Sequence, residues 1–191
     1  MQRIGDWIQT FTGKQFFPFD PRPEDICIED ISHALSLLCR FGGHCREFYS
    51  VAQHSVLVSL NCPRWPLHGL LHDASESYIV DLPSPIKRHL VDIGVMEYAE
   101  AEMNISGVIM WKFGVLRTID MPSEKWERSE ETKAADLLLL ATEARDLVSP
   151  LHPEWAVKLA GKPTLETPII AVGPVEAERI FLDRFNQLYP Q

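Results

Sequence analysis

The stretch Leu70-Leu71-His72-Asp73-Ala74-Ser75-Glu76-Ser77-Tyr78 sets an imidazole and a carboxylate side by side inside an apolar run. Leu67, Leu70, Leu71, Ala74 and Tyr78 recur at helical spacing. The spacing predicts a helix that starts near Pro66, a good first-turn residue, and stops at Asp81-Leu82-Pro83. Neighbouring residues on a helix point about 100° apart, so His72 and Asp73 reach one point only if it lies between their directions. A metal ion is such a point, and imidazole nitrogen with carboxylate oxygen suits a divalent one. Glu76, four residues after His72, shares its face and is placed to accept a proton or hold a water. A His-Asp step on its own is more often a hydrogen-bonded structural pair. His68, among leucines, reads as a satisfied core histidine or one that braces a ligand.

Two distant residues strengthen the metal reading. His54 lies one turn into a helix that Ser50-Val51-Ala52-Gln53 opens with a capping-box pattern, running to about Leu60. Asp136 sits between Ala134-Ala135 and a leucine run, where an unpaired buried carboxylate would be expensive. Two imidazoles and two carboxylates from three helices make a net-neutral divalent site with positions left for water and substrate.

Outward from these segments, prolines cluster at 18–23, 63–66, 83–85 and 150–168 and leave long proline-free runs that suit helices. A first helix is expected over 29–41, with Ile28, Ile31, Leu35 and Leu38 on its apolar face and Gly42-Gly43 at its end. Residues 86–113 read as one or two helices, with Gly94 or Gly107 as breaks. Residues 124–148 read as a long helix burying Leu137, Leu140, Ala141, Ala144 and Val148. Residues 149–172 read as irregular, with a short strand over Ile169–Val172. A last helix opens at Gly173-Pro174 and turns Ala177, Phe181, Phe185 and Leu188 inward. No βαβ alternation, phosphate-binding glycine loop or nucleophile elbow occurs. The expected class is all-α, one domain over residues 1–191.

Composition narrows the function. With 191 residues and 46% hydrophobic content, the chain can bury a proper core. Its 18 Lys+Arg against 27 Asp+Glu give a net charge of −9, which argues against a nucleic-acid polymer or an anionic membrane as main partner. No run of about 18 apolar residues suggests a membrane span, and the N-terminus lacks a signal-peptide core. Cys27, Cys39, Cys45 and Cys62 contain no CxxC and read as reduced thiols of a cytoplasmic protein. Trp7, Phe16, Phe17 and Phe19 are candidate exposed aromatics for packing against a second copy.

The series His54, His72-Asp73 and Asp136 resembles the signature of HD-domain metal-dependent phosphohydrolases. It is closer still to the small bacterial 5′-deoxynucleotidases and phage dATP triphosphohydrolases. Asp81-Leu82-Pro83-Ser84-Pro85-Ile86-Lys87 resembles a segment of that branch almost residue for residue, as does His72-Asp73-Ala74-Ser75-Glu76. Arg40-Phe41, His44, Glu176-Ala177-Glu178 and Phe181-Leu182-Asp183-Arg184-Phe185 extend the likeness over most of the chain.

The resemblance implies an HD-domain helical bundle in which His54, His72, Asp73 and Asp136 ligate a divalent ion (Zn, Co, Mn, Fe or Ni). Glu76 would orient or deprotonate the attacking water, or serve as general acid. Asp81 would assist proton transfer, or contact the sugar or a second ion, Mg or Co. Arg40 would bind phosphate, Phe41 would line the nucleoside pocket, and Lys87 would contact the phosphate tail. The implied reaction is hydrolysis of a deoxynucleoside 5′-phosphate at the α phosphorus. It is read first as a dNTP, dATP above all, giving deoxynucleoside plus triphosphate, with a 5′-deoxynucleotidase acting on dNMPs as the alternative. The implied setting is cytoplasmic (that of the host for a phage enzyme), and the implied assembly is a homo-oligomer. Two readings of another class remain open: a non-catalytic nucleotide-binding HD protein, and a purely structural helical protein. Gly42-Gly43, where related enzymes carry bulkier residues, predicts a roomier pocket or a closer approach of backbone to ligand.

Overall fold

The computed structural model describes residues 3–116, 130–148 and 150–189. The described chain is mostly helical, with one small two-stranded hairpin, as the sequence predicts for an all-α class. The elements are β1 (Ile8–Gln9), β2 (Gln15–Phe16), α1 (Ile28–Leu37), α2 (Val51–Leu60), α3 (Pro66–Leu71), α4 (Glu76–Ile79), α5 (Ser84–Asp92), α6 (Glu97–Lys112), α7 (Glu130–Leu147), α8 (Pro153–Leu159) and α9 (Pro174–Leu188). A 3-10 turn spans Arg40–Gly43.

Helix α2 is the axle of the structure. It packs against α1, α3, α7 and α9. Eight of its ten residues are buried, so it shows no polar face, as expected of a helix surrounded by others. Ser50 caps it by accepting the Gln53 N–H at 3.1 Å. The reciprocal half of the capping box is not made. The Gln53 side chain instead donates to the Ile170 carbonyl and accepts from the Val172 N–H, at 2.8 and 3.0 Å. That amide takes the place of a neighbouring strand, and Ile169–Val172 is not the expected β-strand.

The main core joins Ile31 and Leu35 of α1, Val51, Ala52 and Val56 of α2, Leu70 and Leu71 of α3, Ile105 and Ile109 of α6, and Phe181 and Phe185 of α9. A smaller cluster, Val58, Cys62, Ala135 and Leu139, ties α2 to α7. Gly69 lets α3 approach α2 closely. A Cβ there would stand 3.1 Å from the Ser59 Cα and from the Cys62 Sγ.

Several boundaries differ from the sequence reading. Helix α1 ends at Leu37, not 41, because Leu38 turns extended and Cys39 forms an isolated antiparallel bridge with Ser50. Arg40 therefore lies beyond the helix. The helix expected from Pro66 to 81 is two short helices. Between them, Leu71 to Tyr78 is tightened by i to i−3 hydrogen bonds: Ala74 to Leu71, Glu76 to Asp73 and Tyr78 to Ser75. Residues 84–112 form two helices broken at Gly94, which has φ 83°, while Gly107 lies inside α6.

In α7, Leu137 points out, and the buried positions include Thr132, Leu139, Thr142 and Glu143. Four consecutive leucines cannot define a face by themselves, and the polar residues turn inward because they find partners there. Of the expected α7, residues 124–129 lie outside the described chain. Helix α8 and the β1–β2 hairpin were not expected. Phe16, expected at the surface, is fully buried and stacks on Tyr78 at 3.9 Å, whereas Trp7 and Phe19 are exposed. No helix among the described residues is long and apolar enough to cross a membrane.

Candidate metal and anion site

His54 and His72 meet where α2 crosses the end of α3. Their Nε2 atoms lie 3.3 Å apart. Each ring's other nitrogen is already committed. His54 Nδ1 donates to Glu143 Oε1 at 2.6 Å, and His72 Nδ1 donates to the Gly69 carbonyl at 2.7 Å. Each ring thereby keeps a proton on Nδ1 and turns Nε2 toward one centre. Two Nε2 lone pairs there would repel, so a proton on His54 Nε2, or a cation in its place, lies between them.

The carboxylates close around the same centre. Asp73 Oδ2 is 3.0 Å from His72 Nε2 and 3.7 Å from His54 Nε2, and Asp136 Oδ1 is 3.3 Å from His54 Nε2. Ligand bonds of ~2.1 Å place neighbouring donors about 3.0 Å apart in an octahedron and about 3.4 Å apart in a tetrahedron. His54, His72 and Asp73 are all buried, with ligand atoms mutually within 4.8 Å, and could hold a metal ion. Asp136, about a third exposed, adjoins them through His54. Burial opposes ionisation of Asp136, but its bond to His54 wins and holds its carboxyl down at about 2.

Glu143 organises this floor. It is fully buried and accepts from His54, from the Tyr49 hydroxyl at 2.9 Å and from Arg40 Nη2 at 3.2 Å. Burial would neutralise it, but Arg40 and His54 outweigh burial and keep it ionised. Burial and Arg40 both oppose protonation of His54, yet Glu143 and Asp136 push it up to about 9. Arg40 also reaches Asp73 Oδ2 at 3.6 Å, and these carboxylates hold it cationic despite its burial. Its Nε has no partner. Arg40 therefore spans from Glu143 to the edge of the site.

Above the floor lies a cleft of roughly 640 Å³. Arg40, Phe41, Asp73, Glu76, Asp81, Lys87 and Asp136 all line it, so every predicted site residue except the two deeper histidines faces this space. Glu76 is buried, with Oε2 unpartnered and Oε1 3.9 Å from Lys87 Nζ. Burial first, then the charges of Asp73 and Asp81, push its carboxyl up to about 10, so it carries a proton at neutral pH. Lys87 is anchored at 2.6 Å by Glu102. Phe41 has φ 56°, costly for an aromatic residue, and meets Trp155 edge-on at 5.9 Å. Val80, next to Asp81, is also at positive φ, 63°, and its carbonyl is held by the Tyr98 hydroxyl at 2.8 Å.

YfdR of Escherichia coli (strain K12), described as an uncharacterized protein, is 41% identical over 184 residues, covering 95% of each chain. This chain belongs to the YfdR family. The protein RCAP_rcc00048 of Rhodobacter capsulatus, also described as uncharacterized, is 32% identical over 167 residues, covering 82% of this chain and 80% of its own. No family model matches the chain.

Three features of this YfdR-family site were missed by the sequence reading. Glu143 follows Asp136 by seven residues, two helical turns, and so faces the same way; that spacing was the available signal. Trp155 and Lys158 come from α8, inside the segment expected to be irregular. Tyr49 gave no signal, because its role depends on Glu143. The remaining histidines stay apart from the floor. His68 binds the Thr132 hydroxyl at 2.8 Å as a core residue, His33 pairs with Glu178 at 3.2 Å, and His44 is exposed.

Proposed function

We propose that this chain is an HD-type, metal-dependent phosphohydrolase that cleaves deoxynucleoside 5′-phosphates at the α phosphorus. The preferred substrate is a deoxynucleoside triphosphate, with dATP as the first candidate, and the products are deoxynucleoside and triphosphate. The observation that carries the reading is the pair of imidazole Nε2 atoms, each ring anchored through Nδ1, converging with Asp73 beneath a cleft lined by a protonated Glu76 and four cations.

His54, His72, Asp73 and Asp136 fit a divalent cation by donor type and spacing. When bound, such an ion supplies Lewis acidity, stabilising charge on phosphoryl oxygens and easing ionisation of water. Arg40, held in place by Glu143, presents its guanidinium edge to phosphoryl oxygens. Lys87 adds a point charge from the opposite wall. Glu76 donates from Oε2 to the departing 5′ oxygen, since a carboxyl that is neutral at pH 7 is an acid and not a base. Phe41 and Trp155 offer flat apolar surface to the base. Water adds to the α phosphorus, the bond to the 5′ oxygen breaks, the nucleoside leaves with the proton from Glu76, and a proton given up by the water restores the Glu76 carboxyl.

A product assay tests this. Mono-, di- and triphosphates of each base, in ribo and deoxy forms, are incubated with protein and Mn²⁺ or Co²⁺. Equal amounts of deoxynucleoside and triphosphate are expected from dATP. Orthophosphate from dNMPs alone would move the assignment to a 5′-deoxynucleotidase. Tight nucleotide binding without any release would make the protein a non-catalytic binder.

A further inference from the structure

Helices α5 and α8, neither of which contributes a buried residue, both line the cleft. Four of its lining side chains are cations, Arg40, Lys87, Arg88 and Lys158. In a chain of net charge −9, they balance the four acidic residues of the same lining, Asp73, Glu76, Asp81 and Asp136. They divide into two kinds. Arg40 is tied to Glu143 and Asp73, and Lys87 is tied to Glu102. Arg88 and Lys158 line the same space and make no ion pair with any described residue.

Charge without a counter-charge beside an anion site is available to the ligand. A single phosphoryl group at the floor is already served by Arg40 and Lys87. Two further cations at the mouth, one on each wall, exceed what a monophosphate needs. On α8, Lys158 stands three residues after Trp155, on the same helix face, so the wall that meets Phe41 also carries the cation.

We propose that Arg88 and Lys158 form a second anion subsite, which holds the β and γ phosphates of a nucleoside triphosphate while the α phosphate lies at the floor. The proposal rests on the phosphohydrolase reading for the floor, and it selects triphosphates over monophosphates by binding the tail. Exposed cations of this kind add attraction that weakens with salt.

Calorimetric binding, not turnover, tests it. The Glu76→Gln protein is titrated in a constant excess of Mg²⁺ with orthophosphate, inorganic tripolyphosphate and dATP. Tripolyphosphate is expected to bind at least tenfold more tightly than orthophosphate, and dATP more tightly than either. Adding Arg88→Ala or Lys158→Ala is expected to weaken tripolyphosphate and dATP fivefold or more each and orthophosphate less than twofold. Both side chains are exposed, so neither substitution threatens folding. Equal weakening of all three ligands, or none, overturns the subsite. Tripolyphosphate binding as tightly as dATP overturns its assignment to a nucleotide. Hydrolysis of dNMPs together with no preference for tripolyphosphate would sink this proposal and leave the phosphohydrolase standing. Tail binding without hydrolysis of any nucleotide by the native protein would do the reverse.

Discussion

The floor and the rim of the cleft are built in opposite ways. At the floor, Tyr49, His54, His72 and Glu143 are 0–2% exposed, and each polar atom that faces the centre is braced from behind. At the rim, α5 and α8 bury nothing, and two of their cations have no ion-pair partner among the described residues. A buried floor fixes geometry because every group there over-determines its neighbours. A solvated rim leaves charge free for a ligand but adds little to stability. The contrast predicts that changes at the floor act on metal, activity and folding together, while changes at the rim act on ligand binding alone.

The largest effect is expected at the floor's centre. His72→Ala removes one converging nitrogen and should lower kcat/KM by about a thousandfold, measured with the best nucleotide of the panel. A fall of less than tenfold would erase the functional difference between floor and rim. Glu143→Ala comes next. It strips His54, Arg40 and Tyr49 of their shared acceptor, and chemical denaturation should show a loss of about 3–5 kcal/mol, the range for breaking a buried ion pair. Glu143→Gln preserves the shape but not the charge, and should weaken metal binding about ten- to hundredfold by calorimetry.

Gly69→Ala probes the close approach that also presents the carbonyl to His72. The 3.1 Å contact with the Ser59 backbone leaves no room, so a loss of about 1–3 kcal/mol is expected in the same measurement. Smaller per pH unit is the effect of Glu76 on stability. Glu76 ionises near 4.5 when unfolded and near 10 when folded, so the native state binds the extra proton between those values. Its contribution to stability is full below pH 4.5 and is lost as pH rises toward 10, at no more than about 1.4 kcal/mol per pH unit. Metal-chelated protein should therefore lose stability between pH 6 and 9 more steeply than Glu76→Gln. Parallel curves would show that Glu76 is already ionised. The smallest effect belongs to the rim, where Lys158→Ala should change unfolding free energy by no more than about 0.5 kcal/mol.

Much of the floor could be read from the sequence because its residues violate their surroundings. His72-Asp73 interrupts leucines, and Asp136 interrupts an alanine-leucine run; each polar intrusion asks for a partner. The buried faces of α1 and α9 followed from apolar periodicity alone, whereas α2 was announced by its cap. Glu143 escaped because a lone glutamate between Thr142 and Ala144 on a long helix looks like a solvated charge until Arg40 and Tyr49 are seen against it. The tight turn over Leu71–Tyr78 escaped because helical periodicity cannot tell i−4 from i−3 hydrogen bonds over one turn. Helix α8 escaped because seven residues among prolines carry too little periodicity, and its buried partner is a cleft instead of a core. The end of α1 was set by Cys39 pairing with Ser50, a contact between segments that no local pattern announces.

The central claim is that the two imidazoles and Asp73 hold one divalent cation. The direct measurement is calorimetric titration of chelator-stripped protein with Mn²⁺ or Co²⁺, alongside Asp73→Ala. One ion per chain, with binding abolished or reduced at least a hundredfold in the variant, is the predicted result. Equal binding by both proteins, or none by the native chain, would contradict it.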